Sequence, residues 1–133
     1  MKDLAPVATL VLPSIGFTID APDTATIDNP NPKSVFISWT GVKMHMRLKG
    51  DALFEVDLDA AVRTASAYGT VTRQGATSDG WEVRYDEEVA GDTLHNVIVT
   101  RTIGGTEVQF RGGSNTAPAE AQLVAACASL RKS

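Results

Sequence analysis

Between Val42 and Lys49, apolar and basic side chains alternate without a break. Val42, Met44, Met46 and Leu48 take one parity; Lys43, His45, Arg47 and Lys49 take the other. Successive strand side chains point to opposite faces, so the run predicts a half-buried antiparallel strand. One face would sit on a core, and the other would carry four potentially cationic groups in a row.

The rest of the chain fits that strand into an α+β pattern. Val7–Leu12 predicts a first strand, broken by Pro13 and Ser14. Ile15, Phe17 and Ile19 then alternate toward one side, up to a turn expected at Ala21-Pro22-Asp23. A short strand is expected at 24–28. Asn29-Pro30-Asn31-Pro32-Lys33 predicts an irregular loop, because each proline removes a backbone donor and restricts the residue before it. Val35, Phe36, Ile37 and Trp39 make 34–40 strand-like. The single Gly41 then requires a tight turn or a bulge before the alternating strand. Leu53 to Val56 is expected to extend the pairing.

Asp57 is a good N-cap for a helix whose Leu58, Ala61, Val62 and Ala65 share a face, with Tyr68 near its end and Gly69 as its stop. A second block of strands follows: a weak one at 70–74, a turn at 76–80, and Trp81, Val83 and Tyr85 in alternation. A long run at 94–101 and a Gly104-Gly105 hairpin come next, with a return over 106–111 and a loop at 112–115. Thr116 caps a closing helix with Ala119, Leu123, Ala126, Cys127 and Leu130 as its apolar stripe, and Arg131 and Lys132 suit its negative end. The order strands, helix, strands, helix has no βαβ alternation. It predicts an antiparallel sheet with two packed helices, and a single domain over residues 1–133. A chain of 133 residues buries enough surface for a core without disulfides or metal.

That order resembles the PsbP-like fold, which includes DcrB-type bacterial proteins. The resemblance runs from Gly16-Phe17-Thr18-Ile19-Asp20-Ala21-Pro22, similar to a first strand ending at proline, to Ala128-Ser129-Leu130-Arg131 in the last helix. Members share a scaffold rather than a catalytic motif, so no functional residue carries over. The resemblance implies a non-enzymatic accessory or partner-binding role, such as the adaptor chaperones among bacterial relatives.

Several chemistries find little support in the residues. A net charge of −4 opposes general nucleic-acid binding, which needs clustered Lys and Arg. No apolar run approaches the roughly 20 residues that span a bilayer. The start Met1-Lys2-Asp3-Leu4 lacks the marks of a signal peptide, which suggests a cytoplasmic chain, or a periplasmic or lipid-anchored one if a leader precedes it. His45 and His95 show no metal-ligand spacing, and 86–92 does not match a calcium loop but predicts a solvated acidic loop. Cys127, the one cysteine, falls on the apolar stripe of a helix and reads as core. The paired glycines lack the lysine and helix of a phosphate loop. No catalytic residue, metal or cofactor is therefore expected.

What remains is a binding surface. Lys43, His45, Arg47 and Lys49 are candidates for charge selectivity toward a protein partner, with Trp39 and Trp81 as apolar contacts beside Met44 and Met46. The plainer alternative is a solvated face neutralised by Glu82, Asp86 or Glu107 on neighbouring strands. The expected function is a binding or accessory protein of adaptor, chaperone or immunity type. The other reading is a small-molecule or lipid carrier with an apolar cavity between sheet and helices.

Overall fold

The computed structural model describes residues 6–13, 15–51, 54–55 and 57–133, with no side-chain description for Pro30 and Asn31. Among the described residues there are two antiparallel sheets and two helices. The strands are β1 (Val7–Leu12), β2 (Phe17–Pro22), β3 (Thr26–Asn31), β4 (Ser34–Trp39) and β5 (Val42–Leu48), then helix α1 (Leu58–Tyr68). β6 (Thr70–Thr77), β7 (Gly80–Val89), β8 (Asp92–Ile103) and β9 (Thr106–Ser114) follow, then α2 (Ala117–Ser129) and β10 (Arg131–Lys132). A seven-stranded sheet runs β3-β4-β5-β9-β8-β7-β6, and a three-stranded one runs β1-β2-β10. The α+β class and the strands–helix–strands–helix order expected from the sequence are those observed.

The even positions of β5 do what their period requires. Val42, Met44 and Met46 are buried, with Val35, Ile37, Val97, Val108 and Phe110 of neighbouring strands. Leu123, Ala126 and Cys127 of α2, and Phe17 and Ile19 of β2, close this core from the other side. Gly112 lets α2 come close, because a β-carbon there would stand 3.0 Å from both Leu123 methyls. The opposite face of the large sheet has a second, smaller cluster. There Ala61 and Ala65 of α1 pack on Val83, Tyr85 and Ile98.

Both helices begin as expected. The Asp57 carboxylate accepts from Ala60 N–H at 2.8 Å, and the Thr116 hydroxyl accepts from Ala119 N–H at 3.1 Å. Gly69 ends α1 in extended backbone rather than a left-handed turn. Its need for glycine is spatial, since a β-carbon would run into the Asp86 carbonyl.

Several expectations are corrected. Ala21 and Pro22 belong to β2 rather than a turn, and Asn29 to Asn31 extend β3 with a register shift between Asp28 and Asn31. An edge strand can hold a proline, which leaves one donor missing only on its open side. The turn expected at 76–80 shrinks to Ser78 and Asp79 between β6 and β7. Residues 112–114 continue β9, and 86–89 continue β7, so the acidic stretch is a paired hairpin turning at Ala90-Gly91. Asp86 lies 2.9 Å from His95, and Thr93 donates to Glu88 at 2.7 Å. The pairing expected over 53–56 involves Leu53 and Val56, and the first break involves Ser14; all three lie outside the described residues, as does the start at 1–4.

The chain end also differs. Arg131 and Lys132 pair with β2, and Arg131 bridges to Asp20 at 3.1 Å while donating to Ser129 O. The α2 carbonyls are met mainly from β8. Arg101 donates to the carbonyls of Cys127, Ala128 and Leu130 at 3.0–3.2 Å, and its guanidinium also bridges to Asp79. A cation at a helix C-terminus satisfies orphan acceptors and complements the dipole.

Candidate functional site

The odd positions of β5 face the α1 side of the large sheet, and register decides their neighbours. One transverse row is Asp28, Phe36, His45, Arg111 and Ile98; the next is Thr26, Ser38, Lys43, Gly113 and Asn96. α1 packs over β6 and β7, at one end of this face. Toward β3 and β4 the face stays open, and Phe36 is 44% exposed. A depression of about 790 Å³ follows Thr26, Ser38, Lys43 and Asn96, and a second of about 510 Å³ follows Asp28, Phe36, His45 and Arg111. Both share Ser38, Lys43, Asn96 and Gly113. Gly113 keeps the floor low, since a β-carbon would come 2.7 Å from Asn96 Oδ1.

The four basic candidates are not equivalent. Lys43 is exposed, and no carboxylate among the described residues lies within ion-pair distance of it. Lys49 is exposed but bridges to Glu107 at 2.8 Å, so its charge is locally matched. Arg47 is only 3% exposed and is a structural cation. Its guanidinium donates to His45 Nδ1 at 2.8 Å. Burial and the Arg111 charge lower its pKa, while Asp51 and Glu55 act the other way.

His45 is held as the neutral tautomer by its partners. An Arg donor on Nδ1 requires a lone pair there, so Nε2 carries the hydrogen and donates to Ser34 Oγ at 2.7 Å. Burial first, then the charges of Arg47 and Arg111, hold its pKa below the ordinary value. The neutral ring stacks on Phe36 at 4.2 Å between centroids and 10° between planes. The site is thus an aromatic platform flanked by two cations. The second cation is Arg111, which is not among the residues singled out from the sequence and which the β5–β9 register sets beside His45. It stands over the Tyr68 ring at 5.9 Å and reaches Tyr85 Oη at 3.5 Å.

The two tryptophans are placed differently: Trp39 reaches the larger depression from the core, and Trp81 lies apart from it. Trp39 is buried in the α2-side core, and its indole donates to Gln122 Oε1 at 3.3 Å. Trp81 packs against the α1 cluster on β7, separated from β5 by β8 and β9. The same separation keeps Glu82 and Asp86 from neutralising the basic row; of the acids considered, Glu107 alone is beside it. His95 pairs with Asp86, and no group of three metal-ligating side chains converges among the described residues. Cys127 is buried beside Met44, and burial pushes its thiol up to about 12. A thiol so raised is a poor nucleophile at neutral pH.

No helix among the described residues is long and apolar enough to cross a membrane. Family models and curated sequences give no match to this chain. Solved structures do. Cyanobacterial PsbP (CyanoP) from Synechocystis superposes with a TM-score of 0.64 at 10% identity, over 98% of this chain and 95% of that one. The Ran-binding protein Mog1p of Saccharomyces cerevisiae superposes with a TM-score of 0.62 at 9% identity, over 97% and 96%. Identity this low speaks for architecture alone, and the architecture is matched nearly end to end: this chain has the PsbP-like fold.

Proposed function

We propose that the chain is a non-enzymatic binding protein that seats an acidic, aromatic-bearing segment of a protein partner on the open half of its large sheet. The observation that carries this reading is the Phe36–His45 stack between Lys43 and Arg111 on a floor left bare by Gly113. Neither cation has a carboxylate at ion-pair distance among the described residues, so a partner's carboxylate meets charge not already matched. The exposed aromatic adds apolar contact at the centre, where binding energy concentrates. A PsbP-like scaffold that binds a protein has a precedent in the Ran-binding protein Mog1p. Adaptor, chaperone and immunity types remain the roles proposed for such a partner-binding surface. The carrier reading draws less support, because the space between the large sheet and α2 is occupied by Met44, Met46, Phe110 and Leu123.

The test is native affinity purification of the tagged full-length chain, repeated with Lys43→Glu/Arg111→Glu and with the control Lys132→Glu. A stoichiometric protein that is kept by the control, lost by the double variant and released by salt supports the assignment. A partner held equally by all three places the interface elsewhere. A retained small molecule without protein favours the carrier.

A further inference from the structure

An edge strand presents unpaired N–H and C=O groups, and proteins usually blunt it with proline, charge, bulges or brevity. Among the described residues, three of the edges here are blunted. β3 contains Pro30 and a register shift, β6 has a shift between Val71 and Arg73, and β10 is two charged residues long. The fourth is not. β1 is the regular, uncharged, proline-free run Val-Ala-Thr-Leu-Val-Leu, paired on one side only among the described residues. Val7 is 70% and Val11 58% exposed.

The direction of its free groups follows from the ladder. Pro6 O accepts from Asp23 N–H at 2.8 Å, and Leu12 O accepts from Gly16 N–H at 3.0 Å, so even residues turn their polar groups toward β2. N–H and C=O of one antiparallel residue point the same way and alternate along the strand. Val7, Thr9 and Val11 therefore present theirs to the open edge.

We propose that β1 pairs antiparallel with β1 of a second copy of this chain, about a two-fold axis through Thr9. The sequence around Thr9 is self-complementary in the way an isologous interface requires. Thr9 meets the partner's Thr9, and Val7 meets the partner's Val11 on each side of it. All three are hydrogen-bonded positions, so about six backbone bonds form and the outward groups of the three residues are satisfied. The exposed valines, now cross-strand neighbours, cover each other's apolar surface. A centre at Leu10 instead sets Val7 opposite Pro13, which has no N–H to give. The interface is small, so association is weak and visible at high concentration. It uses none of the cationic groove.

Sedimentation equilibrium of the full chain across concentrations, with amide exchange by NMR, tests this. The expected result is a monomer–dimer equilibrium in which the Val7, Thr9 and Val11 amides gain protection as dimer forms. Thr9→Pro removes the central donor, and Val7→Lys/Val11→Lys places charge on the exposed side; each is expected to weaken the dimer by at least about tenfold. The lysine pair sits on solvent-facing positions, so it keeps the test open if the proline variant misfolds. A chain monomeric to roughly 1 mM with the three amides exchanging freely overturns the proposal and leaves the edge to another protein's strand. A dimer that both variants leave unchanged overturns it as well.

Discussion

Arg47 and Lys43 share a strand, a face and a charge, and their fates diverge. The alternation of β5 was legible because it needs only a period of two. Which odd positions stay in solvent was not legible, since it depends on what the chain lays over them: Asp51 and Glu55 bring carboxylates near Arg47, and nothing comparable reaches Lys43. The divergence predicts opposite outcomes for one substitution. Lys43→Glu is expected to change unfolding free energy by no more than about 0.5 kcal/mol, as at other exposed sites. Arg47→Glu buries an acid among acids and removes the donor to His45, and is expected to cost about 3–5 kcal/mol. Urea titration of both variants checks this; equal midpoints contradict the structural role of Arg47. His45 adds a pH dependence. Its folded pKa lies below the unfolded value of 6.5, so the unfolded chain binds the proton first as pH falls. The neutral ring's contribution is fully present above 6.5 and declines as pH drops through 6.5 toward the folded pKa. His45→Gln is expected to flatten the stability profile in that window relative to the parent. Parallel profiles for the two chains count against the neutral assignment.

At the scale of elements, the hairpins and helices were legible where local chemistry decides them. Asp57, Thr116 and the Gly104-Gly105 pair each act within a few residues, and each performs its expected part; both glycines of the last turn have positive φ, 56° and 81°. Element ends were illegible where pairing overrides local preference. Gly112, Gly113 and Ser114 have turn-like composition, yet β5 and β8 flank them on both sides and hold them extended. The end of α2 shows the same override. The basic residues following it in sequence are drawn away into β10, and Arg101, 26 residues earlier than Cys127, supplies most of the cap. Arg101→Leu is expected to destabilise the chain by about 2–3 kcal/mol, because it strands three carbonyls and Asp79 at once. Arg101→Lys is expected to recover only part of this, since an ammonium cannot reproduce the fork. Thermal unfolding of the three chains gives the order; a lysine variant equal to the parent means charge alone matters.

Across the whole molecule, the large sheet divides two unequal cores. The α2 side joins both sheets through Phe17, Ile19, Met44, Met46, Phe110 and Leu123. On the α1 side the fully buried helix residues are Ala61 and Ala65, against Val83, Tyr85 and Ile98, while Leu58 and Val62 pack there only partly buried. Buried apolar area sets how strongly a helix is held, and an alanine contributes little of it. α1 is tied at its N-terminal approach by Gln109, which bonds both the N–H and the C=O of Glu55, and by Thr64 to the Glu55 carboxylate. Those bonds position the helix but add little apolar burial. α1 is therefore expected to open as a unit, by a route well short of global unfolding. This bears on the groove, because Tyr68 in the last turn of α1 is the ring over which Arg111 stands. When α1 lifts, Arg111 loses that support, and a ligand held by Arg111 resists the lifting by mass action. Native-state hydrogen exchange resolves the point. Amides of Ala61 to Ala65 are expected to exchange with an opening free energy several kcal/mol below that of Met44, Met46 and Phe110, with little denaturant dependence. Equal free energies and equal denaturant slopes for the two sets mean that the sheet and both helices unfold together, and the groove has no hinged wall.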